Sequence, residues 1–203
     1  DVVVYADFVV QNEKKHYIGL ARLCRALQYY GLIKNYGSAP WYSAPIATDD
    51  EEALYKTQDS RSLVVDSVMA DLQYACDYMQ EGSSRTRVTR YAALGYMARI
   101  ALHEGTFRKY HEEISELAGT VNSFLEKAVW ATDEIMSSGQ FEITGKGAAA
   151  YRDLFTNPDL SKNKEMILFS DYDKDLNRKN NTSTVLNWQW NLSRSLAGSY
   201  LKS

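Results

Sequence analysis

Only two cysteines occur in 203 residues, no run of 18 apolar residues occurs anywhere, and neither sign of charge dominates. Each scarcity removes a class. Without a long apolar run, no segment reads as a membrane-spanning helix. With 23 basic and 26 acidic residues interspersed to a net charge of -3, no basic face offers itself to a phosphate backbone or an anionic membrane surface. Nucleic acid is thereby set aside as a partner. Cys24 and Cys76 both fall in amphipathic helical patterns, where a thiol acts as a small hydrophobe, and the pair is not read as a disulfide. The opening Asp1-Val2-Val3-Val4-Tyr5 has neither the basic start nor the small-residue cleavage site of a secretory leader.

Catalytic motifs are equally scarce. His103-Glu104 would open a zinc-protease motif, but Phe107 stands where the second histidine is required. His16 and His111 lie on polar helix faces and read as solvated, as do the carboxylates of Glu112 and Glu113. Gly145-Lys146-Gly147 is too short for a phosphate loop, and there is no nucleophile elbow and no CxxC pair. Asp171-x-Asp173-x-Asp175 begins like a calcium loop, yet Leu176 replaces the required glycine and Thr182 the bidentate glutamate, which excludes an EF-hand. A looser calcium site through those carboxylates is the weaker alternative to a solvated turn. The residues therefore offer no catalytic centre, and no cofactor is expected apart from that weaker calcium alternative.

What the sequence does contain is helical periodicity and aromatic residues. A chain of this length can bury about 70% of the surface its unfolded form exposes. Apolar spacing predicts a first helix over about residues 7–34, with Phe8, Ile18, Leu20, Leu23, Leu27 and Tyr30 near one stripe. Residues 35–60, with Pro40, Pro45 and the acidic run 49–52, read as a surface loop. A second helix is expected over about 62–80, with Val65, Met69, Leu72, Ala75, Cys76 and Met79 inward and Gly82 as its stop. The third opens at the N-cap Thr89, runs from Arg90 to Glu104 and ends at Gly105; the fourth runs over about 121–138 and ends at Gly139. Ala92, Ala93, Gly95 and Ala98 make the third helix thin on one side, which predicts close contact with the helix carrying Arg22 and Ala26. Beyond Gly139, short extended pieces are expected at 141–144 and 166–170, followed by a polar, turn-rich stretch. This divides the chain into a helical-repeat region, 1–139, and an irregular region with short strands, 140–203.

Five segments carry a resemblance. Arg22, Arg25, Ala26, Tyr29, Tyr30, Tyr36, Gly37 and Pro40 fall in order on a helix-and-exit signature of the SusD/RagB family. Arg87, Thr89, Ala92, Ala93, Ala98, Arg99 and Leu102 resemble its next signature. Ala128, Ala131, Glu134, Ile135, Ser138, Gly139 and Phe141 are similar to the following helix and its exit. Tyr151, Leu154 and Phe155, then Asn163, Glu165 and Ile167, resemble two further boxes. Two positions depart from the pattern: Gly19 or Leu20 stands for the usual glutamate, and Ser84 or Thr86 for the usual glycine.

The resemblance implies a mostly α-helical, tetratricopeptide-like array of helical hairpins with irregular loops and a few short strands. It also implies that the sequence is an interior part of a longer outer-membrane lipoprotein on the extracellular face of the cell. Such a protein would capture a glycan and pass it to a SusC-like TonB-dependent transporter, touching the membrane only through a lipid anchor outside this sequence. A peptide-capturing RagB-like homologue is the alternative within the family, and a helical-repeat adaptor for a protein partner is the alternative outside it. For ligand contact the sharpest candidates are Trp188, Trp190 and Asn191: alternation along an extended segment would put both indoles on one face, as a platform for a sugar ring. The competing role for both indoles is to anchor that segment onto the helices.

Overall fold

The computed structural model describes residues 11–171, apart from 83, 112, 118, 144, 146 and 158. Four long helices carry the fold: α1 (Gln11–Tyr36), α3 (Arg61–Tyr78), α4 (Arg90–Tyr110) and α5 (Val121–Ser137). The single turn α2 (Glu51–Leu54) interrupts the first loop, and α6 (Ala148–Thr156) follows the last long helix. Each long helix packs on its neighbour in sequence, α1 on α3, α3 on α4 and α4 on α5. This is the helical-hairpin array expected from the sequence, in which one pair cannot bury its apolar face alone.

Local chemistry sets most boundaries. The Ser60 hydroxyl accepts from the Leu63 amide and starts α3, while Asp50 accepts from the Ala53 amide and starts α2. Gly37, at φ +82°, ends α1 by donating to the Ile33 carbonyl at 2.9 Å. Gly139, at φ +64°, ends α5 in the same left-handed conformation, one that side chains with a Cβ avoid. Thr89 holds the N-cap position of α4, but its hydroxyl makes no capping bond.

Two boundaries and one whole element differ from those expected. α3 ends at Tyr78, before Gly82, with Met79 in an extended conformation. α4 runs through Gly105 to Tyr110. Gly105 is there because α5 presses on it: a Cβ built at that position would lie 2.8 Å from Leu125 Cδ2 and 3.3 Å from Phe124 Cβ. The apolar segment around Tyr151 and Phe155 is helical, with those two rings 5.1 Å apart one turn from each other.

The core is continuous from α1 to α5. Leu23, Ala26, Tyr30 and Ile33 of α1 meet Val64, Val68, Leu72 and Ala75 of α3, and Ala93, Leu94 and Met97 of α4 belong to the same cluster. Val64 and Val68 are buried where Met69, expected inward, is half-buried. The thin side of α4 also differs from expectation. Ala92 and Ala93 are buried, but Gly95 faces a side chain from beyond α5, Ile167 Cδ1 at 4.0 Å, and lies on no tight seam with α1.

Residues 141–143 and 166–170 form no ladder; among the described residues the only bridge is Ala39 with Asp59. Arg85 takes the place of a strand partner. Its guanidinium donates to the carbonyls of Asn163, Met166 and Gln140, and its own carbonyl accepts from the Phe169 amide at 2.9 Å. One planar fork thus satisfies several backbone groups of the irregular chain and fixes it beside the helices.

Candidate functional site

A cleft of about 610 Å³ opens between α1 and α4. From α1 it receives Leu27, Tyr30, Gly31 and Lys34, spaced three and four residues apart on one face. From α4 it receives Tyr96, Arg99, Ile100 and His103 at the same spacing, together with Leu102 and Thr106. The walls are apolar stems and rings, and the rim is basic. Lys34, Arg99 and His103 are exposed and Tyr96 is half-buried. Among the described residues neither Lys34 nor Arg99 has a carboxylate partner.

Below the cleft, Tyr30 connects the two helices. Its hydroxyl lies 2.7 Å from His103 Nδ1 and 3.4 Å from Glu104 Oε2. Burial, reinforced by the nearby Glu104 charge, holds the phenol well above its ordinary range, so it remains a donor. Its single hydrogen serves either Nδ1 or Glu104, and in the second case the His103 ring donates from Nδ1.

Glu104 is fully buried and held by two arginines. Arg61 reaches Oε2 from Nη2 at 2.6 Å and Oε1 from Nε at 3.2 Å, while Arg108 reaches Oε1 from Nε at 2.9 Å. Phe107 covers the Arg61 guanidinium at 3.9 Å and Phe124 covers that of Arg108 at 4.2 Å. One carboxylate against two guanidinium groups leaves one net positive charge in the core beneath the cleft. Glu104, set aside in the sequence as half of a failed zinc motif, is therefore the anchor of a structural ion cluster. Among the described residues no three His, Cys, Asp or Glu side chains converge on a common point.

The other side chains weighed in the sequence fall outside this cleft. His16 accepts from the Gln80 amide at 3.2 Å. His111 pairs with Glu113 at 2.7 Å and stacks on Phe107, so neither is merely solvated. Cys24 is exposed and Cys76 buried, and both are free thiols. Trp188, Trp190 and Asn191, and the calcium-like Asp173 and Asp175, lie outside the described residues. Lys34, Tyr96 and Arg99 are not among the site residues expected from the sequence. The signal was their matched spacing on two helices, legible only once those helices are known to face each other.

Residues 6–102 match a SusD-like family described as starch-binding and associating with the outer membrane. The chain is 30% identical over 105 residues to SusD-like protein P2 of Formosa agariphila, covering 51% of this chain and 20% of that protein. It is 26% identical over 173 residues to SusD-like protein P25 of the same organism, covering 84% of this chain and 28% of that protein. The chain thus spans less than a third of the length of either relative. Its fold is shared with a SusD-like carbohydrate-binding protein from Bacteroides fragilis, at TM-score 0.60 and 20% identity over 82% of this chain and 29% of the other. The ordered signatures, the sequence matches and the paired-helix architecture agree: over residues 6–102 this chain is similar to the SusD-like family.

Proposed function

We propose that the protein captures an oligosaccharide at the outer face of the outer membrane and delivers it to a SusC-like TonB-dependent transporter. The observation that carries this reading is the match of residues 6–102 to a family described as starch-binding and outer-membrane-associated. The fold shared with a carbohydrate-binding protein supports it. The role is binding and transfer, with no chemical step and no cofactor, and a lipid anchor in the longer protein would hold it at the membrane. Trp188 and Trp190 supply the stacking platform and Asn191 a polar contact.

Calorimetric titration of the full-length protein against a panel of oligosaccharides and peptides tests the reading. Stacking an indole on a pyranose removes apolar area at about 25 cal/mol per Å², so Trp188→Ala or Trp190→Ala should cost on the order of 1 to 2 kcal/mol. That is about tenfold in affinity. Binding of peptides and of no glycan would replace this reading with peptide capture. Unchanged glycan affinity in both folded variants would remove the platform role from these two residues.

A further inference from the structure

We infer that the α1/α4 cleft is a subsite for an acidic sugar, a pyranose bearing a carboxylate or a sulfate ester, gripped by Lys34 and Arg99 and stacked on Tyr96. The inference rests on the carbohydrate-binding reading and adds a ligand class and a place. Its first support is Gly31. This residue sits inside a long helix with no left-handed φ, and a Cβ built on it would meet nothing within 4 Å. Neither backbone geometry nor packing demands a glycine, although an interior glycine weakens a helix. What the missing side chain leaves is room in the cleft. The volume of about 610 Å³ lies within the range of about 300 to 1,000 Å³ typical of small-ligand sites.

The second support is the balance of polar groups. Lys34, Arg99 and His103 bring hydrogen-bond donors, and no acidic residue lines the cleft. Of its three hydroxyls two are already engaged, Tyr30 with His103 and Glu104, and Thr106 with the Leu102 and His103 carbonyls, which leaves that of Tyr96, itself able to donate. A neutral sugar hydroxyl seeks both donors and acceptors, whereas a carboxylate or sulfate oxygen only accepts. The lining matches the second. Electrostatics agrees, since the exposed cations stand above a buried cluster with one surplus positive charge, and a cleft with low-dielectric walls focuses such a field.

The test is titration of the full-length protein with three oligosaccharides of equal length: neutral, uronate-containing and sulfated. Lys34→Gln and Arg99→Gln remove charge from exposed positions, and Gly31→Phe fills the cleft without changing charge. Thermal unfolding establishes that each variant is folded. Tighter binding of the uronate or the sulfated ligand is expected, with the two arms identifying which anion is taken. That affinity should fall with added salt and drop at least tenfold in each variant, while affinity for any neutral ligand stays unchanged. Acidic-ligand affinity indifferent to all three substitutions would overturn the inference. So would binding of the neutral ligand alone, which leaves the carbohydrate reading standing; binding of no glycan would overturn both. Displacement of the acidic sugar by an acidic peptide, lost in the same variants, would make the cleft a peptide groove and overturn the sugar assignment.

Discussion

Arg61 and Glu104, 43 positions apart, meet at 2.6 Å with both side chains buried. The pair closes α3 onto α4, and Arg108 completes it from one turn further along α4. Glu104→Gln keeps the shape and removes the only negative charge in the cluster. Breaking a buried pair in this way typically costs about 3 to 5 kcal/mol, because the remaining charges stay buried without compensation. The control is Glu81→Gln, which weakens a half-exposed pair with Arg90 and should cost about 0 to 1 kcal/mol. Urea unfolding of the two variants checks the contrast. Similar small losses in both would mean the cluster does not stabilise the fold.

Gly95 and Gly105 should respond to alanine with opposite signs. At Gly105 the new methyl would meet Leu125 and the fixed Cβ of Phe124, and overpacking of this kind costs about 1 to 3 kcal/mol. At Gly95 it would come no closer than 4.0 Å to Ile167, so the gain in helix propensity, about 0.5 to 1 kcal/mol, stands unopposed. Thermal unfolding should show a lower midpoint for Gly105→Ala and a higher one for Gly95→Ala. A rise in both would contradict the close α4/α5 packing.

That contrast also marks where the sequence is legible. Gly37 and Gly139 end helices because their own backbones turn left-handed, and such local punctuation can be read from neighbouring residues. Gly105 looks the same on paper. Its role depends on Phe124 and Leu125 in the helix that packs across it, so it reads as a stop when it is a contact. Glu104 is misread for a similar reason, since its partner Arg61 is remote. The extended pieces after Gly139 invite a strand assignment because their alternation is visible while the Arg85 fork that satisfies their carbonyls is not. The hairpin array itself is legible, because four amphipathic helices in succession leave few other ways to bury their apolar stripes. The cleft is not, because Gly31, Lys34 and Arg99 acquire meaning only when α1 and α4 stand side by side.

Arg25 ties the first loop to the helices. Its Nε and Nη2 bind the two oxygens of Asp71 at 2.7 and 2.8 Å, its Nη1 reaches the Ser43 carbonyl at 2.9 Å, and its guanidinium lies 4.9 Å from the Trp41 ring centroid. Lysine cannot reproduce a planar fork with donors in three directions. Arg25→Lys should therefore cost about 1.5 to 3 kcal/mol through the charged hydrogen bonds it loses. Amides at positions 41–43 should also exchange faster with deuterium relative to the core of α3. Unchanged exchange there would show that the loop is held without Arg25, by bonds such as Tyr42–Tyr29 and Trp41–Asp59.

The two cysteines should differ in reactivity and in their effect on stability. Cys24 is exposed on α1 and should be alkylated in the native protein, whereas Cys76 is buried on α3 and should react only on unfolding. Burial is the main cause that raises the Cys76 thiol from 9.0 to about 12, with the positive charge of Arg90 opposing it. The folded state thus keeps a proton that the unfolded chain releases above about pH 8.5. Native stability from this group is fully present below that pH and declines as pH rises towards 12. One proton sets the limiting slope at about 1.4 kcal/mol per pH unit. Cys76→Ala removes the thiol, so the difference in unfolding free energy between parent and variant should shift across pH 9 to 11 in favour of the variant. A difference that stays constant across that range, or alkylation of Cys76 in the folded protein at the rate of Cys24, would place this thiol in contact with water.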